Sequence, residues 1–188
     1  MTTLQLSLMG AIETSANNQN IVLSYNKLQG LLAILAMSAD KPLSRDMLAD
    51  LFWPDMPEKN AKENLRRALY NLKSALGDAS RLLISNKKTV SLESTGLSLD
   101  IDVIRHITTC SAELNIATSY GQLEKQIKLY RGEFMTGFTL PDSHYQIVPI
   151  LKTGCSCSEN YYSAICSARL NSLLIFMNKT VTTIKPCH

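Results

Sequence analysis

The segment 57–76 constrains the fold more than any other part of the chain, because its apolar and charged residues separate on a helical projection of about 100° per residue. Leu65, Leu69 and Leu72 lie on one apolar stripe together with several alanines. The opposite side carries five lysines and arginines, a tyrosine and a single acid, Glu63. The pattern predicts a long helix that packs on a core through one face and presents a basic face to solvent.

The residues before this helix predict strands followed by a buried helix. Apolar and polar residues alternate over residues 4–8, which is typical of a strand, and after a polar turn at 14–20, residues 21–24 predict another strand. Apolar spacing over residues 27–37 predicts a helix with most of its surface buried. Gly30 weakens that helix by about 1 kcal/mol relative to alanine, so we expect a neighbour to pack closely on it.

A second, short helix precedes the long one, and a hairpin follows it. Ser44 and Asp55 are predicted to be the N-caps of the second and third helices. Gly77 is predicted to end the third helix in a left-handed conformation. Residues 82–85 and 89–92 are strand-like runs joined by Asn-Lys-Lys, which predicts a hairpin with a basic tip.

The basic face and the hairpin tip combine residue types that bind double-stranded DNA. Lysine and arginine neutralise phosphates and release counterions, while arginine pairs with guanine and asparagine with adenine in the major groove. A solvated helix surface carries a similar pattern, but it lacks the second basic contact that a hairpin tip supplies. The net charge of +3 gives no support of its own, because the whole excess lies in the last 42 residues. The local pattern favours DNA binding.

Four stretches of the chain resemble a known family. Residues 48–55 (LADLFWPD) and 64–77 (NLRRALYNLKSALG) are similar to the OmpR-type winged helix of the SARP-like antibiotic-regulatory transcriptional activators. Residues 99–102 (LDID) and 129–138 (LYRGEFMTGF) are similar to parts of the helical bacterial transcriptional activator domain that follows in that family. The resemblance covers about residues 4–144 of the chain.

The resemblance implies an α+β fold with two domains. Residues 1–98 would form an OmpR-type winged helix-turn-helix DNA-binding domain with an N-terminal β-sheet, three helices and a C-terminal wing hairpin. Residues 99–145 would form a partial all-α, tetratricopeptide-like domain. Asp100 and Asp102 are expected to cap the first helix of that second domain, because no histidine or glutamate stands at metal-binding spacing from them.

The resemblance also implies a sequence-specific transcription regulator, an activator that recruits RNA polymerase and binds direct-repeat sites as two or more copies. The third helix would lie in the major groove, with the hairpin tip on the minor groove or the backbone. The residues predicted to read bases are Lys62, Arg66, Arg67 and Tyr70, with Asn71 on the flank of the same face. The residues predicted to contact phosphates are Lys59, Lys73, Lys87 and Lys88.

The loop at 53–57 is the predicted contact with RNA polymerase, through Trp53, Asp55 and Met56. Trp53 has a second interpretation, because a single tryptophan beside a proline more often fills a core under a loop than contacts a partner. The sequence favours the core interpretation for this residue.

The composition changes after residue 146. Residues 1–146 carry 15 lysines and arginines and 15 acids, whereas residues 147–188 carry four and one, together with four of the five cysteines. A divergent or frameshifted tail is therefore predicted at 146–188, and a shift of reading frame near codon 146 is favoured over divergence. Cys155 and Cys157 do not have the usual spacing of zinc ligands, so no metal site is predicted.

Other classes of protein are disfavoured. The longest apolar run, residues 31–37, is far shorter than the about 20 residues that span a bilayer, and no basic region precedes an apolar stretch at the start. We therefore expect a cytoplasmic protein without a membrane partner. Glycine-rich phosphate loops and nucleophile motifs are absent from the sequence, so neither enzymatic activity nor a cofactor is expected. The alternative is a protein–protein interaction module whose winged helix docks a partner rather than DNA.

Overall fold

The computed structural model describes residues 2–102 and 131–140, which contain two small β-sheets and three α-helices. The strands are β1 (Leu4–Ser7), β2 (Glu13–Ala16), β3 (Gln19–Ile21), β4 (Leu43–Ser44), β5 (Leu83–Ser85), β6 (Thr89–Leu92) and β7 (Leu97–Leu99). The helices are α1 (Asn26–Met37), α2 (Arg45–Phe52) and α3 (Glu58–Leu76), and a 3-10 helix at Gly77–Leu82 follows α3. The predicted order of strands, three helices and hairpin is confirmed, and the arrangement is winged-helix-like.

The first sheet has the strand order β3-β2-β1-β7. β1 pairs antiparallel with β2, with Leu4 opposite Ala16, and parallel with β7. The prediction of a polar turn over 14–20 was wrong, because the turn between β2 and β3 consists of Asn17 and Asn18, both with positive φ. β2 buries only Thr14 and Ala16, which is too little hydrophobicity for the alternation to be visible in the sequence.

The helices pack around a core that α1 fills from nearly all sides. The residues of α1 that are buried are Leu28, Gly30, Leu31, Leu32, Ala33, Ile34, Leu35 and Ala36. The apolar stripe of α3 faces the same core, and Leu65, Leu69 and Leu72 are all buried. Each such leucine contributes about 1.5–3 kcal/mol relative to an exposed position. The predicted division of α3 into a core face and a solvent face is confirmed.

The helix termini differ from the predicted caps. Ser44 occupies the N-cap position of α2, but its side chain makes no capping hydrogen bond. The N-cap of α3 is Pro57 rather than Asp55, and the carbonyl of Pro57 accepts hydrogen bonds from the backbone N–H of Asn60 and Ala61. Proline favours this start because its fixed φ leads into a helix and it has no N–H to satisfy. Gly77 ends α3 with a φ of 54°, as its lack of a side chain allows.

The second sheet forms the predicted wing. β5 and β6 make the hairpin, and β4 adds a third strand in the order β4-β6-β5. The backbone N–H of Asn86 donates to the carbonyl of Thr89 at 2.8 Å and closes the tip. At the start of α2, the backbone N–H of Arg45 donates to the carbonyl of Lys88 at 2.9 Å, and its Nη2 donates to Ser85 Oγ at 2.6 Å. Arg45 thereby ties the wing to α2.

Residues 131–140, the docked segment, lie against the end of β1. Phe134 and Met135 are buried there, and Phe134 forms a β-bridge with Met9. The backbone N–H of Met135 donates to the carbonyl of Leu8 at 2.7 Å. The helical domain predicted at 99–145 falls mostly on residues 103–130 and 141–145, which lie outside the described residues, as does the predicted tail at 146–188.

Residues 100–102 are helical, but the carboxylate of Asp100, which is predicted to cap a helix here, binds the backbone of another segment. This buried carboxylate, directly after β7 in the chain, accepts hydrogen bonds from the backbone N–H of Leu8 and of Met9, each at 2.9 Å. Asp100 therefore supplies the hydrogen-bond acceptor for two backbone N–H groups just after β1, where the docked segment pairs with this strand's end.

Gly30 has the close neighbour that the sequence predicts. A Cβ added to it would lie 2.8 Å from Cζ of Phe138 and 3.1 Å from Cε1 of Phe52. The phenyl ring of the docked segment thus packs directly on the backbone of α1, which explains a glycine inside a helix.

Candidate nucleic-acid interface

The residues predicted to bind DNA are all exposed, and seven of the nine lie on α3. These seven, the cationic face of α3, are Lys59, Lys62, Arg66, Arg67, Tyr70, Asn71 and Lys73. The other two, Lys87 and Lys88, lie at the tip of the wing. α3 has 19 residues and is about 28 Å long. Tyr70 is 74% exposed, so its side chain is available for contact.

Two acids hold Lys62. Its Nζ lies 2.5 Å from Oε1 of Glu58, one helical turn earlier, and 3.0 Å from Oδ1 of Asp46 on α2. Hydrogen bonds to Glu58 and then Asp46 raise the pKa of Lys62 above its usual value, so it remains charged. The pairing with Glu58 follows from i,i+4 spacing and was readable in the sequence. The pairing with Asp46 depends on how α2 packs against α3, which the sequence does not reveal.

A single carboxylate pairs with both arginines of the cationic face. Glu63 accepts hydrogen bonds from Nε of Arg66 at 3.0 Å and from its Nη2 at 2.7 Å, and it lies 3.3 Å from Nε of Arg67. The hydrogen bond from Arg66 lowers the pKa of Glu63 and raises that of Arg66. Both residues therefore stay ionised, and the three side chains form one charged cluster on the surface.

The four remaining lysines of the interface differ from Lys62, Arg66 and Arg67 in their ion pairing. Within residues 2–102 and 131–140, no ion pair involves Lys59, Lys73, Lys87 or Lys88. These are the residues predicted to contact phosphates. Exposed lysines of this kind are accessible to an anionic partner.

Of the three residues in the loop at 53–57 that are predicted to contact RNA polymerase, one is buried and two are exposed. Trp53 is 7% exposed, with its ring 5.9 Å from that of Phe52 and the Nζ of Lys27 5.3 Å from its centroid. This burial agrees with the core interpretation of Trp53. Asp55 and Met56 are exposed, as is Pro57, so both predicted contact residues are accessible to a partner protein.

The described ranges contain neither a metal-binding cluster nor a membrane-spanning helix. No group of three or more histidines, cysteines, aspartates and glutamates is arranged to hold a metal ion there. No helix among the residues that the structure describes has the length and hydropathy needed to cross a membrane.

Comparison with known proteins gives a likeness of fold. No family model matches the chain, and no curated protein matches it either. Among solved structures, the chain is similar to Mycobacterium tuberculosis EmbR in complex with a low affinity phosphopeptide, with a TM-score of 0.64 and 18% sequence identity. The match covers 97% of this chain and 50% of EmbR, so the chain spans about half of that protein. At this identity the likeness concerns the fold alone.

Proposed function

We propose that the protein is a sequence-specific transcription regulator that binds double-stranded DNA through α3 and the tip of its wing. The observation that carries the proposal is the division of α3 into a buried apolar stripe and an exposed face with five cations, a tyrosine and an asparagine. A helix of this kind fits the major groove, which is about 12 Å wide. The fold likeness to EmbR and the resemblance of residues 48–55 and 64–77 to SARP-like activators support it.

The residues of the interface fall into two chemical classes, those that read bases and those that contact phosphates. Lys62, Arg66, Arg67, Tyr70 and Asn71 read base edges, where guanidinium and amide groups recognise guanine and adenine. Lys59, Lys73, Lys87 and Lys88 contact phosphates, which supplies affinity without sequence information. The hydrogen bond from Arg45 to Ser85 orients the wing against α2. Lys87 and Lys88 at the tip of the wing therefore contact the DNA backbone in a defined position.

The proposal extends to activation by recruitment of RNA polymerase, through the exposed Asp55 and Met56. Copies of the chain bind side by side on direct repeats, as the resemblance implies. The substitution of both residues by alanine is expected to lower transcription from a reporter promoter while DNA affinity changes less than about twofold. Equal transcription from the variant and the wild type would contradict the polymerase contact and leave DNA binding intact.

The test of DNA binding is the selection of duplexes from a random-sequence pool by the full chain at near-physiological salt. We expect enrichment of a short motif, repeated in direct orientation, and no enrichment by the variant with both Arg66→Ala and Arg67→Ala. Retention of DNA without enrichment would contradict sequence-specific recognition. A failure to retain duplex DNA would favour the alternative, in which the winged helix docks a protein.

A further inference from the structure

The acids that pair with cations of α3 are distributed in a pattern that DNA affinity alone does not require. Each of the three cations assigned to base reading is paired with an acid inside the chain, whereas the four lysines assigned to phosphates have no ion pair within the described residues. A negative charge near the phosphates of DNA opposes binding. The acids therefore lower the affinity for DNA, and they are paired with the residues that would carry sequence information.

We propose that Glu63 is a specificity-determining residue of this interface. It holds Arg66 and Arg67 to the helix, leaves part of each guanidinium for a base, and weakens the binding of both to the phosphates of unrelated DNA. The inference rests on the proposed DNA-binding function and assigns a role within the same site.

The geometry of the pair leaves Arg66 free to read a base. Its Nε–H and one N–H of Nη2 point to Glu63, which leaves the edge formed by Nη1 and the second N–H of Nη2. That edge supplies the two parallel donors that O6 and N7 of guanine accept. Among the described residues, Arg67 is paired only through its Nε, so within that part of the chain both of its terminal nitrogens remain available. A base contact is thus compatible with the pairing to Glu63.

A phosphate contact is less compatible with the same pairing. A guanidinium that turns towards the backbone either leaves Glu63 without its partner or brings a carboxylate close to a phosphate. Both outcomes are unfavourable, because unlike charges are separated or like charges approach. Glu63 therefore penalises binding to arbitrary sequence more than binding to a matching one. Asp46 and Glu58 place Lys62 under the same constraint.

The test compares wild-type protein with Glu63→Gln in the full chain, on a duplex from the selection and on an unrelated duplex of equal length. We expect the variant to bind the unrelated duplex about tenfold more tightly, and the selected duplex less than about threefold more tightly. The salt dependence on the unrelated duplex is expected to steepen by about one to two units of slope, since each added phosphate contact contributes about 0.9.

The matched control is Glu93→Gln, which makes the same change of charge at an exposed residue outside α3. This variant is expected to keep the wild-type ratio of the two affinities. If Glu63→Gln also keeps that ratio, or weakens both duplexes equally, Glu63 does not determine specificity. If the wild type does not distinguish the duplexes, the proposed function itself fails and the role of Glu63 falls with it.

Discussion

The cationic face of α3 and the contact between the docked segment and the first sheet are held together by different forces. On α3, exposed ion pairs such as Glu63–Arg66 contribute little to stability, because water screens them. In the docked segment, Phe134 and Met135 are buried, and Asp100 satisfies backbone N–H groups beside them. Substitutions in the first region should change binding and leave folding intact, whereas substitutions in the second should change stability first.

The largest effect is expected for Asp100→Ala. This variant leaves the N–H groups of Leu8 and Met9 without their acceptor in a buried position, which we expect to lower the free energy of unfolding by about 3 kcal/mol. Denaturant titration measures the change. Asp50→Ala, which removes an exposed acid on α2, is the control and should change stability by less than about 0.5 kcal/mol. Similar values for both variants would contradict the role of Asp100 as the acceptor for these two N–H groups.

A smaller loss is expected for Gly30→Ala. The added Cβ collides with Phe138 and Phe52, and the cost of overpacking, about 1–3 kcal/mol, is partly offset by the higher helix propensity of alanine, about 1 kcal/mol. In the background of Phe138→Ala, the same substitution should cost at least about 1 kcal/mol less. A double-mutant cycle measures this coupling, and additive effects would mean that Phe138 does not pack on α1 in solution.

Removal of the wing lysines should affect binding alone. With Lys87→Ala and Lys88→Ala, we expect the affinity for selected and unrelated duplexes to fall by the same factor, about tenfold, because phosphate contacts carry no sequence information. The salt slope should decrease by about two units, with stability unchanged. A loss confined to the selected duplex would show that the tip reads bases and would reverse its assignment.

The smallest effect concerns the link between the end of α1 and the base of the wing. Hydrogen bonds from the side chain and backbone of Ser94 lower the pKa of Asp40 from its usual 3.8. A carboxyl with a depressed pKa in the folded state stabilises above its unfolded pKa, and this contribution is lost as the pH falls through the folded value. Asp40→Asn keeps an oxygen acceptor that does not titrate. Wild type should therefore lose more stability than the variant below about pH 4, and parallel acid profiles would contradict the link.

Local periodicity made much of the helical core and the wing predictable. The stripe of Leu65, Leu69 and Leu72 and the short run 89–92 both appear where their spacing indicates. Strand β2 could not be found this way, because its inward side chains are Thr14 and Ala16. The contact of Asp100 with Leu8 joins residues 92 positions apart, and no local pattern reports a pairing at that distance.

In the candidate interface, too, local features could be predicted from the sequence and contacts between distant elements could not. Exposure of the basic residues on α3 followed from the helical projection, and the spacing of Glu63 to Arg66 and Arg67 is that of neighbours on a helix. The contact of Asp46 with Lys62 arises only when α2 and α3 pack together. The contact of Lys27 with the ring of Trp53 likewise arises only when α1 packs near the loop at 53–57. Side-chain partners within one helix are thus readable, and those between elements are not.

The central claim is that the cationic face of α3 binds DNA with sequence preference, and the most direct test is the salt dependence of binding to a selected duplex. Wild-type protein is compared with the variant that carries both Arg66→Ala and Arg67→Ala. We expect the variant to bind about 30-fold more weakly and with a shallower salt slope, while its free energy of unfolding stays within about 0.5 kcal/mol of wild type. Unchanged affinity together with an unchanged slope would contradict the assignment of α3 as the DNA-binding helix.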